Sequence, residues 1–140
     1  MRRGLVVLAL TGLALGQPAG LVATECVLYR TPLVNDRDLS DLRGHLRLRN
    51  DSGLAWKEAR VVVHLMDGYG APLFNYEIPA LKSWAAGEQK DFPVYQPGYA
   101  GSVWIFKLGA EVRATSEGKP VHFEVPPQEA SSGTSTPVNY

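Results

Sequence analysis

Cysteine is almost missing from this chain. Cys26 is the only one in 140 residues, so no disulfide can form within the molecule. Excess charge is missing too. Lys and Arg total 14 and Asp and Glu total 14, so nothing global draws the chain to nucleic acid or an anionic membrane. Sulfur and imidazole ligands are scarce, with 2 Met and 3 His. No G-x-S-x-G elbow occurs, and the glycines form no strand–loop–helix phosphate cradle. The sequence therefore calls for no enzyme activity and no cofactor.

Only one long apolar run is present, Gly4 to Gly16, behind Arg2 and Arg3. It has the length of a signal h-region and is too short for a membrane span. Residues 1–23 are accordingly expected to be a secretory signal, with cleavage after Gly16 or within Ala19–Ala23. The mature chain would carry no stable membrane span and would be periplasmic or extracellular. Losing Arg2 and Arg3 leaves 12 basic against 14 acidic residues. Cys26 then lies close to the new N-terminus, but Glu25 beside it departs from a lipoprotein signal. A buried thiol, a lipidated one and an intermolecular disulfide stay open.

What the chain does have is turns and β-formers. It contains 14 Gly and 10 Pro, and the segments between them are rich in branched and aromatic residues. The densest is Arg60 to Met66, broken at Asp67-Gly68-Tyr69-Gly70 and resumed at Leu73, which reads as a central hairpin. Trp56–Met66 is its first strand. Leu73–Ile78 is the return, ended by Pro79, with Phe74, Tyr76 and Ile78 toward the core. Cys26–Tyr29 is a first strand. Leu42–Asn50 alternates, with Leu42, Gly44, Leu46 and Leu48 on one face and Arg43, His45, Arg47 and Arg49 on the other. Ala80–Gln89 has room for one helical turn. Lys90–Tyr95 is an edge strand because of Pro93. Ser102–Ala114 is a second long strand, with Trp104 in the core and a bulge at Gly109. Val121–Val125 is the last strand. About seven strands spaced this way predict an all-β, immunoglobulin-like antiparallel β-sandwich over residues 24–125, with a small closed barrel as the alternative. Residues 126–140 are poor in apolar side chains and are expected to be a disordered tail.

Val63-His64-Leu65-Met66-Asp67, followed by Gly70, resembles the motif that names the FxLyD domain, a small immunoglobulin-like sandwich of exported prokaryotic proteins. Leu65 and Asp67 match; Val63 and Met66 replace the aromatic and the tyrosine. Gly44, Leu46 and Leu48 before Asn50-Asp51-Ser52, and Ala86-Gly87-Glu88 before Phe92, resemble its flanking segments. The resemblance covers Leu42 to Val125. It implies a sandwich fold and an envelope setting, and it carries no catalytic residue.

Two constellations remain as candidate sites. The row Arg43, His45, Arg47 and Arg49 is a possible docking surface for an envelope protein or polysaccharide; the plainer reading is a solvated strand face. His64 and Met66 form a His-x-Met pair of the kind that suits copper. As an alternative function this makes the protein a periplasmic metal carrier, with His45 or Cys26 needed to complete the site. Asn50-Asp51-Ser52 also spells a glycosylation acceptor. Exposed aromatics around Tyr69 and Tyr95–Tyr99 are further candidates for ligand contact. The favoured function is an exported, non-enzymatic binding or structural module of the cell envelope.

Overall fold

The computed structural model describes residues 20–35, 38–101 and 104–131. The apolar run 4–16 therefore lies outside the described residues, and no helix among them is long and apolar enough to cross a membrane. The strands are β1 (Leu21–Pro32), β2 (Ser40–Asn50), β3 (Trp56–Asp67), β4 (Pro72–Trp84), β5 (Gln89–Tyr99), β6 (Phe106–Ser116) and β7 (Lys119–Glu129). All neighbours in the sheets are antiparallel. They form a three-stranded sheet, β1-β2-β5, and a four-stranded sheet, β4-β3-β6-β7. The chain changes sheet after β2, β4 and β5, which gives a Greek-key, immunoglobulin-like sandwich rather than a closed barrel.

The hairpin of β3 and β4 is built as the sequence suggests. Val61, Val63 and Leu65 are all buried, and β3 is central, with β4 and β6 on its two sides. Asp67 closes the turn: its Oδ1 accepts from the backbone N–H of Tyr69 at 2.9 Å and of Ala71 at 3.0 Å. Gly70 supplies the positive φ of 90°.

Several boundaries differ from the sequence reading, each for a physical reason. Strand β4 does not stop at Pro79 and holds no helical turn. It runs on to Trp84 through a register shift between Ile78 and Leu81. Only β3 borders β4, so a missing N–H at Pro79 is harmless on this edge strand. Strand β7 continues past Val125 to Glu129, so residues 126–129 are not tail. A shift opposite Gly109 absorbs the two prolines: Leu108 pairs with Gln128 and Ala110 with Val125. Beyond β7 the chain crosses to the other sheet. Ser131 donates to Cys26 O at 3.0 Å and accepts from Leu28 N at 3.2 Å, covering part of the β1 edge. The remainder of the expected tail lies outside the described residues. At the other terminus, β1 begins at Leu21, which is 1% exposed. Leu21–Ala23 therefore form part of β1 and pair with β2.

The core also differs in its aromatics. Trp104 is not in it, being 59% exposed. Trp56 and Trp84 fill that role instead. Their rings meet edge-to-face at 5.1 Å, with Phe123 stacked on Trp56 at 4.9 Å and Phe92 tilted against Trp84 at 5.7 Å. Such pairs add roughly 0.5–1.5 kcal/mol each beyond the burial of their area. They join β3, β4, β5 and β7, and hence the two sheets.

Candidate functional site

The two ends of the sandwich are built differently. At one end lie the β2–β3, β4–β5 and β6–β7 turns. Asn50, fully buried, ties two of them together. Its Nδ2 donates to Leu54 O at 2.8 Å and lies 3.3 Å from both Trp84 O and Ala85 O. Its Oδ1 accepts from the Ser52 amide at 3.0 Å and the Ser52 hydroxyl at 2.7 Å. An amide this enclosed is unavailable for glycosylation in the folded protein, so the Asn50-Asp51-Ser52 triplet is a structural clasp.

The opposite end carries the loops β1–β2, β3–β4 and β5–β6. Eight large apolar side chains are exposed among the described residues. Leu54 is at the clasped end. Val34, Tyr69, Trp104 and Ile105 are on the three loops of the other end, and Tyr29, Phe74 and Tyr95 stand on strands beside them. The loops touch: a Cβ on Gly68 would lie 3.0 Å from Ile105. Arg30 binds this end together. Its Nη2 donates to Gly101 O at 2.7 Å and its Nε to Ser40 Oγ at 3.0 Å. Its guanidinium lies 4.3 Å from the Trp104 ring centre and 4.9 Å from that of Tyr99. The sequence suggested Tyr69, Tyr95 and Tyr99 as contact residues but assigned Trp104 to the core. Ile105 was missed because a strand was expected through it.

The basic row stands on the outer face of β2 as expected, but β2 is the central strand of its sheet and the row carries its own anions. His45 Nε2 meets Glu25 Oε1. Arg47 holds Asp91 at 2.7 and 3.3 Å and Glu25 at 3.5 Å. Arg49 grips Asp51 at 2.6 and 2.9 Å. These bonds, with the ion pairs, hold the Asp51 and Asp91 carboxyls below their ordinary range. Arg43 is 3.9 Å from Asp41 and lies over the Tyr95 ring at 4.3 Å. In register, Tyr29, Arg43 and Tyr95 form one line across the sheet. His45, Arg47 and Arg49 thus each have an acidic partner, while Arg43 joins the aromatic end.

His64 and Met66 sit together on the outer face of β3. His45 is on the outer face of the other sheet, and Cys26 pairs with core-facing Leu46. Neither can complete a copper site with them. Burial pushes the Cys26 thiol up to about 11, with Sγ 3.8 Å from Gln128 O. The neighbours of His64 come from its own sheet. Nδ1 is 2.7 Å from Asn75 Oδ1 and Nε2 is 3.5 Å from Glu111 Oε2. The other oxygen of Glu111 is 3.3 Å from His122 Nε2 and 3.6 Å from Arg113 Nη2. Glu124 stands beside Glu111 in register. Partial burial opposes ionisation of Glu111, but bonds from His122 and His64, with Arg113 nearby, hold its carboxyl below the usual range. A groove of about 300 Å³, lined in part by Arg60, Glu77, Glu111 and Arg113, adjoins this cluster.

No family model matches the chain, and no curated protein matches it. Among solved structures it is similar to a Bordetella pertussis protein assigned as ApaA. The TM-score is 0.58 at 13% identity, over 85% of this chain and 98% of that one. It also matches part of a Parabacteroides merdae β-glucuronidase, with a TM-score of 0.46 at 12% identity over 81% of this chain and 14% of that one. The first likeness shows the fold, an all-β sandwich shared along nearly the whole of the Bordetella protein.

Proposed function

We propose that the protein is an exported, non-catalytic binding module of the cell envelope, with the loop end of the sandwich as its recognition surface. The carrying observation is the asymmetry of exposure: the large apolar side chains cluster at one end, and the other end is clasped by Asn50. Exposed aromatics beside an arginine have the composition of interface hot spots, and loops held on a rigid sandwich are a common place for recognition. Charge compensation of the basic row moves the partner-binding role away from His45, Arg47 and Arg49. An envelope protein suits this surface better than an anionic polymer does. Leu65 and Asp67, the residues that match the FxLyD motif, serve the core and the turn rather than chemistry. A protonated Cys26 thiol also speaks against nucleophilic catalysis. The copper-carrier alternative loses the support of His45 and Cys26.

The test uses the tagged chain against detergent-solubilised envelope proteins and, separately, purified envelope polysaccharide. A defined protein retained by the wild type and lost with Tyr95→Ala and Trp104→Ala supports the proposal. Retention by polysaccharide alone, or capture unchanged in both variants, would refute it.

A further inference from the structure

We propose that the outer face of the four-stranded sheet carries a binding site for a divalent ion of the zinc class, with Glu111, His122 and Glu124 as ligands and His64 as their outer partner. Strands β6 and β7 supply the three ligand groups, whose donor atoms all lie within 4.8 Å of one another. Zinc bonds of about 2.0–2.1 Å set neighbouring ligand atoms of a tetrahedron roughly 3.3 Å apart. His122 Nε2 already stands 3.3 Å from Glu111 Oε1. Modest rotamer changes on Glu124 would bring the third group in, leaving one position to solvent.

The sheet holds these groups together against their own electrostatics. Glu111 and Glu124 are directly opposed in register, and like charges so placed are destabilising. Glu111 is shared by His122, His64 and Arg113, whereas Glu124 has no cationic partner among the described residues. A cation between the two carboxylates removes that repulsion. Arg113 is 71% exposed and free to swing away as the ion enters. His64 has the position of an outer partner: it faces the second oxygen of Glu111 and is itself fixed by Asn75. Groups of this kind orient a ligating carboxylate and strengthen its bond.

The donor set identifies the ion class. One imidazole with two carboxylates suits zinc, copper(II) or nickel(II). Calcium prefers six to eight oxygens, and magnesium keeps its water. Thioether plays no part, which separates this site from one built on His64 and Met66.

Zinc(II) is titrated into the full chain by calorimetry, with magnesium and calcium as comparisons. One saturable zinc site is expected, with an upward shift in melting temperature. His122→Ala and Glu124→Gln should each weaken it by at least about tenfold, the lower bound of loss seen even for outer partners. His64→Ala should weaken it less, and His45→Ala and Met66→Leu should leave it unchanged. All five side chains lie outside the core, and circular dichroism without metal checks that each variant folds. No saturable zinc binding, equal affinity for calcium, or loss of binding in Met66→Leu or His45→Ala would overturn the assignment.

Discussion

Replacing Asn50 with alanine tests whether the clasped end holds the two sheets together. The side chain is fully buried and engages five groups, two on Ser52 and three backbone carbonyls. Its two amide protons serve three acceptors, so about four bonds are lost. The Ser52 groups and Leu54 O can turn to water, since Leu54 and its surroundings are exposed. Trp84 O belongs to a fully buried residue and keeps no such option. Taking ~0.5 kcal/mol for each of the three bonds that water can replace, the low end for such exchanges, and a further 1–3 kcal/mol for the stranded buried carbonyl gives a loss of about 3 kcal/mol. For a domain near 110 residues this lowers Tm by roughly 12–18 °C. Asn50→Asp is the sharper variant. It places a carboxylate oxygen against Leu54, Trp84 and Ala85 carbonyls, so at pH 7 it should destabilise more than alanine does. Below the carboxyl pKa the protonated acid can donate again, and the gap to Asn50→Ala should narrow. Thermal melts at pH 7 and pH 4 measure both effects. A loss under ~1 kcal/mol for Asn50→Ala would refute the clasp, since surface substitutions alone reach only about half of that. An Asn50→Asp variant as stable as wild type at pH 7 would refute the amide assignment.

Gly44→Ala should cost roughly 3 kcal/mol in urea unfolding, the upper part of the range for overpacking, because a Cβ there would sit 1.9 Å from Val27 O of the adjacent strand; a loss below half of that would show that β1 is not held in this register. Cys26, with its thiol pushed up to about 11 by burial, should react slowly with iodoacetamide at pH 8 and speed up about tenfold per pH unit to pH 10; a plateau near pH 8.5 would contradict its environment. Asp51 and Asp91 are lowered by hydrogen bonds from Arg49 and Arg47. Their contribution is present above the unfolded carboxylate pKa and is lost as pH falls through the lower folded values. Asp91→Asn should therefore shallow the acid limb of a stability profile between about pH 5 and pH 2, and an unchanged limb would count against the pair.

Period-two alternation was enough to place residues inward or outward on β2 and β3, because one face of each is lined by Leu or Val with little ambiguity. The turn at Asp67–Gly70 was equally legible, since an Asx side chain and a positive-φ glycine leave few alternatives. Two proline positions misled. Pro79 and the Pro126-Pro127 pair read as strand ends, yet each sits at a register shift on an outer strand, where the missing donor faces no partner. Tryptophan misled for another reason. Trp84 follows Lys82 and Ser83 beside a turn, whereas Trp104 lies between Val103 and Ile105, and local composition assigned the core to the wrong ring. Burial of Trp84 follows from long-range pairing with Trp56 and from its Nε1 donating to Glu88 O at 2.8 Å.

The candidate sites were less legible than the fold because their chemistry depends on register. Arg47 looks like a free cation until pairing sets it opposite Glu25 on β1 and Asp91 on β5. A shift between Ala23 and Glu25 lets Glu25 meet His45 and Arg47 rather than point inward. Glu111, His122 and Glu124 show no metal-ligand spacing along the chain, and a hairpin alone makes them neighbours. The same dependence makes the metal site and the basic row separable by one perturbation. A substitution that slips β7 against β6 by one residue would disperse Glu111, His122 and Glu124, yet leave Arg47 between Glu25 and Asp91 on the other sheet. Filling the Gly109 position is such a change, since a Cβ there would lie 3.0 Å from Pro127 N and from Val125 O. Gly109→Val should therefore abolish zinc binding while the acid limb governed by Asp91 persists. Loss of both together would mean that the sheets do not hold their registers independently, and the division of the surface into two separate sites would fall.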